Sequence, residues 1–118
     1  MRPYTKKKYS IRFSDISEYQ AQNLRKSWKD SKIFEPNDRI KNLRRAGIVG
    51  VVPIRKNENY GWLRSYIKKH KVPLSKCDFY ISIHTEYDMR TFGIPEYVLK
   101  VIYDIQAEIT FTFLSLES

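Results

Sequence analysis

The order of apolar and polar residues predicts four β-strands separated by helices. Residues 9–13 alternate between apolar and polar, the period of two expected of a strand with one buried face. Residues 48–54 form an apolar, β-branched run typical of a strand buried on both faces, and Pro53 predicts that this strand lies at an edge or ends early. The alternation is clearest over residues 77–84, and it returns over residues 108–116.

Capping residues and helical spacing predict three helices between these strands. Ser14 and Asp15 both offer an N-cap, with Glu18 three residues after Asp15 in capping-box position, and the apolar spacing continues to about Ser31. Residues 57–59 can cap a second helix, which ends before Val72-Pro73. Pro95 at the first helical position, followed by an acidic residue, predicts the third.

Residues 32–47 allow two interpretations. Ile40 and Leu43 predict a short helix ending at Gly47, but the segment fits a basic loop equally well. The whole order predicts a single α+β domain over residues 1–118, with one four-stranded or slightly larger sheet packed against two or three helices. Because the polar side of the last strand is rich in threonine, we expect one face of the sheet to meet solvent.

Charge is divided unevenly along the chain. Residues 1–76 hold 20 of the 22 Lys and Arg and 6 of the 13 acidic residues, a balance of +14, whereas residues 77–118 hold 2 and 7, a balance of −5. Clustered cations attract the carboxylates of an acidic protein or the phosphates of nucleic acid, although they can also serve solubility alone. The asymmetry favours a binding function, with an acidic protein partner first and nucleic acid as the alternative.

We expect the contact surface to be basic and to include one exposed aromatic ring. The residues predicted to form it are Arg25, Lys29, Arg44, Arg45, Lys68 and Trp62. If the partner is single-stranded nucleic acid, rings among the basic residues would stack on unpaired bases. The rings available for that role are Tyr4, Tyr9, Trp28, Tyr60, Trp62 and Tyr66.

The sequence contains no convincing catalytic or metal-binding motif. His84 would be the centre of the best enzymatic case, a ribonuclease-like site with Tyr80 or Glu86 nearby, but ordinary surface residues fit the same pattern. Cys77 lies on the opposite side of the same strand and is predicted to be a small buried hydrophobe. We therefore predict a protein that is not an enzyme and needs no metal and no cofactor.

The same sequence predicts a cytoplasmic location. A single cysteine excludes an intrachain disulfide and suits a reducing compartment. We expect neither a secretory signal nor a membrane span, because the basic first residues lack an apolar core segment and no apolar run approaches 18 residues. The oligomeric state is not indicated, although the acidic part of the chain could contact the basic part of a second copy.

The second half of the chain combines four patterns. They are the helix over residues 62–70, the strand over residues 79–83, the run 93–99 that enters a helix at Pro95, and the closing strand over residues 107–113. This order resembles a family of small bacterial domains of unknown function, found in part near polymorphic-toxin genes and regarded as immunity proteins. The resemblance implies a protein that neutralises a cognate toxin domain by binding it. The family tends to carry an acidic residue where this chain has Thr110 and Thr112, and the resemblance assigns no contact residues.

Overall fold

The protein folds as a five-stranded mixed sheet with three helices. The computed structural model describes residues 5–35, 47–85 and 93–115. The elements in chain order are β1 (Thr5–Ile16), α1 (Glu18–Ser27), β2 (Lys32–Phe34), β3 (Ile48–Pro53), α2 (Trp62–Lys69), β4 (Cys77–Thr85), α3 (Glu96–Ile105) and β5 (Glu108–Ser115). The predicted α+β class is confirmed, with one strand more than the four that were predicted.

Strand β1 lies at the centre of the sheet, whose strand order is β2-β3-β1-β4-β5. It pairs antiparallel with β3 on one edge and with β4 on the other, and β2 pairs antiparallel with β3. Of the strand pairs in the described part of the chain, only β4 and β5 are parallel. Helix α3 connects them, as expected because parallel neighbours need a crossover connection. Strands β2 and β5 therefore form the two edges.

Alternation along β1 buries one side of that strand beneath the helices. Ile11 and Phe13 are fully buried, and the ring of Phe13 meets Tyr66 of α2 edge-on with centroids 5.4 Å apart. Leu24 of α1 and Leu63 of α2 are also fully buried in this layer. Apolar residues at helical spacing on α3 complete the core, at Val98, Val101 and Ile105.

Helices α1 and α2 pack side by side and run antiparallel. The Gln20 side-chain Nε2 donates to the carbonyl of His70 at 2.8 Å, and the Tyr66 hydroxyl donates to the carbonyl of Gln20 at 2.7 Å. At the other end of the pair, the rings of Trp28 and Trp62 stack with centroids 5.6 Å apart and planes 16° apart. The start of α1 thus meets the end of α2.

The prediction that Ser14 or Asp15 caps α1 is wrong, because Ser17 is the N-cap. The Ser17 hydroxyl accepts from the Gln20 N–H at 3.1 Å, and the Gln20 side chain accepts from the Ser17 N–H at 2.8 Å, a reciprocal capping box. Asp15 instead has a φ of 53°, and it lies where the register between β1 and β3 shifts after Phe13. The register shift extends to Ile16, so α1 begins only after it, at Glu18.

Helix α1 also ends at Ser27, four residues before the predicted end at Ser31. Trp28 is extended, with φ −148° and ψ 111°, and its ring reaches α2. The chain then forms β2, a strand that the residue pattern does not predict, in which Ile33 lies opposite Gly50 of β3. The short helix proposed for residues 32–47 falls largely on residues 36–46, outside the described part of the chain.

The other two helices begin slightly later than predicted. Residues 57–59 do not cap α2, whose N-cap is Gly61; instead the Asn59 side chain accepts from the Gly61 N–H at 2.8 Å and forms the turn before the helix. Pro95 is the N-cap of α3 and not its first residue. Strand β3 lies between β2 and β1, so the prediction of an edge strand is wrong; the strand instead ends at Pro53, which has no N–H to donate to a ladder.

The close approach of α1 to β3 gives a first prediction. A Cβ added at Gly50 would lie 2.6 Å from Leu24 Cδ2 and 3.3 Å from Ile16 Cδ1. Because both side chains are buried, we expect Gly50→Ala to lower the free energy of unfolding by about 1–3 kcal/mol, the usual cost of overpacking. Urea unfolding followed by circular dichroism measures this change.

Leu24→Ala provides the matched partner, since it opens space at the same contact. Alone it should cost about 2–5 kcal/mol. The double variant should lose less than the sum of the two single losses, because the added methyl group enters the space left by leucine. Additive losses would show that Leu24 does not limit the approach of α1.

Candidate functional site

Helices α1 and α2 and the residues just after them carry seven exposed cations, and six of these, all except Arg64, form one group without ion pairs among the described residues. This group is named the α1–α2 cationic surface, and its members are Arg25, Lys26, Lys29, Lys68, Lys69 and Lys71. Within the described residues none of the six forms an ion pair, and α2 itself contains no acidic residue. Their positive charge is therefore not compensated locally.

The helical repeat shows where the α1 cations point. Successive side chains turn by about 100° around a helix. Arg25 therefore lies beside the buried Leu24, on the flank of α1 away from Gln20 and thus away from α2. Lys26 points outward, and Lys29 follows Trp28 beyond the end of the helix.

The same repeat places the α2 cations. Lys69 follows Trp62 by seven residues, about two turns, so it lies on the side of α2 that faces α1. Lys68 points outward, and Arg64 lies on the far flank, where its guanidinium is 3.6 Å from Asp104 of α3. Within the described residues Lys68 and Lys69 of α2 thus form no ion pair, whereas Arg64 pairs with Asp104 of α3.

The predicted contact residues fall within one helical layer but not at one point. Arg25 and Lys29 lie near the end of the helix pair where Trp62 stacks on Trp28, whereas Lys68 follows Trp62 by six residues, about 9 Å along the axis. Arg44 and Arg45 lie outside the described part of the chain. Lys26 and Lys69 were not among the six predicted contact residues, although counting helical turns from the buried Leu24 and Leu63 places both on exposed sides of their helices.

The aromatic rings near this surface are occupied inside the protein. Trp62 stacks on Trp28, and Trp28 also packs against Tyr60 with centroids 5.1 Å apart. The described structure offers no acceptor for the buried indole N–H groups of Trp28 and Trp62, so ring packing alone holds these two side chains together. Tyr9 lies edge-on to Tyr97 of α3. Little ring surface remains for stacking on bases.

Two buried tyrosines are fixed through their hydroxyl groups. The Tyr60 hydroxyl accepts from the Arg55 N–H at 2.8 Å and lies within hydrogen-bonding distance of Glu58 and of the Pro53 carbonyl. Burial, aided by the hydrogen bond to Glu58, raises the pKa of Tyr60. Burial also raises the pKa of Tyr66 to about 12. Both hydroxyls therefore stay protonated at neutral pH and act as structural donors.

On the opposite face of the sheet the central cation is neutralised. Arg12 of β1 donates from Nε to Asp78 Oδ1 at 2.9 Å, and its guanidinium lies 4.3 Å from the centre of the Tyr80 ring. The Thr110 hydroxyl of β5 donates to Asp78 Oδ2 at 2.7 Å. Because Asp78 and Tyr80 of β4 contact Arg12, and Asp78 also accepts from Thr110 of β5, Arg12 helps to link β1, β4 and β5. It is therefore not a free cation that could bind a partner.

A concavity of about 400 Å³ lies between α3 and the connection from β3 to α2. Two of the residues that line it are acidic, but Glu58 accepts from the Tyr60 hydroxyl at 2.7 Å and Asp104 lies 3.6 Å from Arg64. Each carboxylate therefore already has a partner. Among the residues that the structure describes, no three His, Cys, Asp or Glu side chains come together as metal ligands would.

The structure describes the side chain of Cys77 but not that of His84, the two residues with possible catalytic chemistry. The side chain of His84, as well as residue Glu86, lies outside the described part of the structure, so the ribonuclease-like alternative stays untested. Cys77 is buried, and its thiol contacts the carbonyl oxygen of Pro73 at 3.5 Å. Burial, with a smaller contribution from Asp78, raises the pKa of the thiol to about 11. A buried, protonated thiol is a poor nucleophile.

Comparison with protein-family models, with curated proteins and with solved structures gives no match for this chain. The described helices are also too short and too polar to cross a membrane.

The environment of Cys77 predicts slow thiol chemistry. Because the pKa is about 11 and the side chain is buried, the native protein should react with a thiol reagent at pH 8 only through unfolding. The reaction should be fast in concentrated urea. Absorbance of the released thiolate from an aromatic disulfide reagent measures both rates, and equal rates in the two solvents would show that Cys77 is accessible in the folded protein.

Proposed function

We propose that this chain is a non-catalytic binding protein whose α1–α2 cationic surface contacts an acidic protein. The observation that carries the proposal is the absence, within the described residues, of any ion pair for the six cations of this surface. Five other cations of the described structure are paired, such as Arg12 with Asp78 and Arg55 with Asp30, and the remaining unpaired lysines of the described residues lie outside α1 and α2, on β1, on β2 and after β3. The six cations of this surface differ from those lysines because they share two adjacent helices. Unpaired charge on a folded surface speeds encounter with an opposite surface and rejects partners of like charge.

The helices that carry these cations are well anchored. Two hydrogen bonds join Gln20 of α1 to α2, and the Trp28–Trp62 stack joins their other ends. A surface that is already ordered loses less conformational entropy when a partner binds. This rigidity supports recognition of one shaped protein surface more than it supports adaptable binding to many sequences.

The more specific form of the proposal is an immunity protein that neutralises a cognate bacterial toxin domain in the cytoplasm. It rests on the resemblance described for residues 60–116, a stretch that contains α2, β4, α3 and β5. Neutralisation by covering requires a stable surface and no chemistry, and the toxin should present an acidic surface to the cations of α1 and α2.

A small basic module that binds RNA or DNA is the second candidate. The unpaired cations support it as well, since each neutralised phosphate releases bound counterions. Base stacking does not add support, because Trp28, Tyr60, Trp62 and Tyr66 pack against one another. This candidate therefore rests on charge alone.

The proposal predicts that binding is lost when the charge of the helix surface is reversed. The test variant is Lys26→Glu, Lys29→Glu, Lys68→Glu and Lys69→Glu. Tagged protein should retain one acidic protein from the native lysate after nuclease digestion. The affinity of the test variant for that protein, measured by calorimetry, should fall at least about tenfold, because like charges would then face each other.

The matched control reverses four exposed lysines elsewhere, Lys6→Glu, Lys8→Glu, Lys32→Glu and Lys56→Glu. It changes the net charge by the same amount, so its affinity should change far less than that of the test variant. The captured protein should also arrest growth when produced alone, and co-production of the unchanged chain should restore growth. Loss of all bound material on nuclease digestion would instead support the nucleic-acid candidate, and equal losses for both variants would exclude the helix surface.

A further inference from the structure

Among the described strands, the outer edge of β5 is the longer of the two open edges of the sheet. Within the described residues β5 pairs with β4 alone, and it runs for 8 residues in continuous register from Asp78 opposite Glu108 to Thr85 opposite Ser115. The other edge strand, β2, has 3 residues, begins with Lys32 and is followed by Glu35. A short strand and flanking charges protect an edge against pairing. Strand β5 is longer, and after Glu108 it contains no charged residue.

Apolar side chains lie beside this open edge. Ile109 and Phe111 of β5 lie opposite Phe79 and Ile81 of β4, so they share the face of the sheet that carries the helices. The β4 side chains are buried, but Ile109 and Phe111 keep 38% and 50% of their surface exposed. Helix α3 therefore covers β4 and leaves the helix face of β5 partly uncovered.

Helix α3 adds apolar residues on the same side. Asp104 lies on the flank of α3 that meets Arg64 of α2. The helical repeat places Leu99 and Ile102 on the opposite flank, towards β5. Leu99 and its neighbour Tyr103 are 47% and 81% exposed. Together with Ile102 and three charged residues of the same helix, they line an open groove of about 650 Å³ along α3.

We infer that this edge is a self-association surface, at which β5 pairs antiparallel with β5 of a second copy. A two-fold axis perpendicular to the sheet keeps both helix layers on one face, so the two α3 helices would flank the joined strands. Ile109 and Phe111 of both copies would then lie between the two helices, with Leu99 and Tyr103 closing over them. The pairing would join two sheets into one of ten strands.

The distribution of charge favours a second copy as the occupant. A chain of net charge +9 repels itself, so self-association must occur where the surface is least positive. Around this edge the acidic Glu96 and Glu108 outnumber the one cation, Lys100, within the described residues. Helix α1 contacts β3 and α2 contacts Phe13 of β1, so the cationic surfaces lie away from the shared edge.

The separation of the cationic surfaces can be gauged from the sheet. With strands about 4.8 Å apart, β1 and β3 lie roughly 12–17 Å from a shared edge, so the two cationic surfaces would be about 25–35 Å apart. This exceeds the screening length of about 8 Å at physiological salt. The dimer would therefore form without strong repulsion between the surfaces, and both would stay open.

The size of the contact sets the expected affinity. Helix α3 and strand β5 contain 10 and 8 residues, fewer than the roughly 20–30 residues a side of a standard interface. We therefore expect a reversible dimer with a dissociation constant in the micromolar range. A two-fold pairing uses the edge of both copies, so association should stop at two chains.

Sedimentation equilibrium tests the inference. The unchanged chain should move from 14.2 kDa towards twice that mass as its concentration rises through the micromolar range. Leu99→Glu should weaken this association at least about tenfold, because it places a carboxylate of each copy in the apolar contact. Leu74→Glu is the matched control, since Leu74 is 48% exposed on the turn before β4, and it should leave association unchanged.

A second variant tests the pairing itself. Thr112 lies at the middle of β5, where antiparallel self-pairing brings equivalent residues within about 5.5 Å, so Thr112→Cys should form an intermolecular disulfide under mild oxidation. Lys26→Cys, on the α1–α2 cationic surface, should not. A chain that stays monomeric at all concentrations would overturn the inference. So would a dimer that Leu74→Glu weakens as much as Leu99→Glu does, or one that Thr112→Cys fails to cross-link.

Discussion

The fold depends on the pairing of β1 along both of its edges. This 12-residue strand meets β3 on one side and β4 on the other, and its buried side chains form the floor on which the helices pack. Phe13 contacts Tyr66 of α2. Its partner in the β1–β3 pair is Gly50, and Leu24 of α1 packs against that glycine. Antiparallel pairing on both edges leaves few alternative registers, because a slip by one residue would turn Ile11 and Phe13 towards the other face.

This arrangement explains what becomes of the uneven charge in the chain. Because β1 belongs to the basic part and β4 to the acidic part, the two parts form one sheet and not two domains. Acidic residues of the second part neutralise cations of the first, as Asp78 does for Arg12 and Asp104 does for Arg64. The cations left without partners in the described structure include those of the α1–α2 cationic surface. The difference in charge along the sequence has thus become a difference in charge between the half of the sheet that contains β2, β3 and β1 and the half that contains β4 and β5.

The parts that could be predicted are those with a repeating pattern. Strands β1 and β4 follow from alternation, and all three helices follow from their spacing. Strand β2 could not be predicted, because three residues are too few to show a period and its pairing with β3 is non-local. The choice of Ser17 over Asp15 as the cap depends on a register shift in β1, which is also non-local. For the site, the residue types were predictable but their grouping was not, since the helix contacts decide which side of α2 faces α1.

The sequence pattern also does not determine which aromatic rings are exposed and which are packed inside the protein. A tryptophan at helical spacing among lysines has the same pattern whether its ring is exposed or packed, so Trp62 fitted both a contact surface and a core. Its stack with Trp28 shows what the ring does in the folded chain: it joins α1 to α2 and holds their cations in one layer. Trp62 can therefore matter for binding without touching the partner. The open edge of β5 lies at the other side of the sheet, so pairing there would present two such layers at once. That gain in effective concentration would benefit only a partner with two acidic surfaces, whereas a partner with one acidic surface would bind each layer independently.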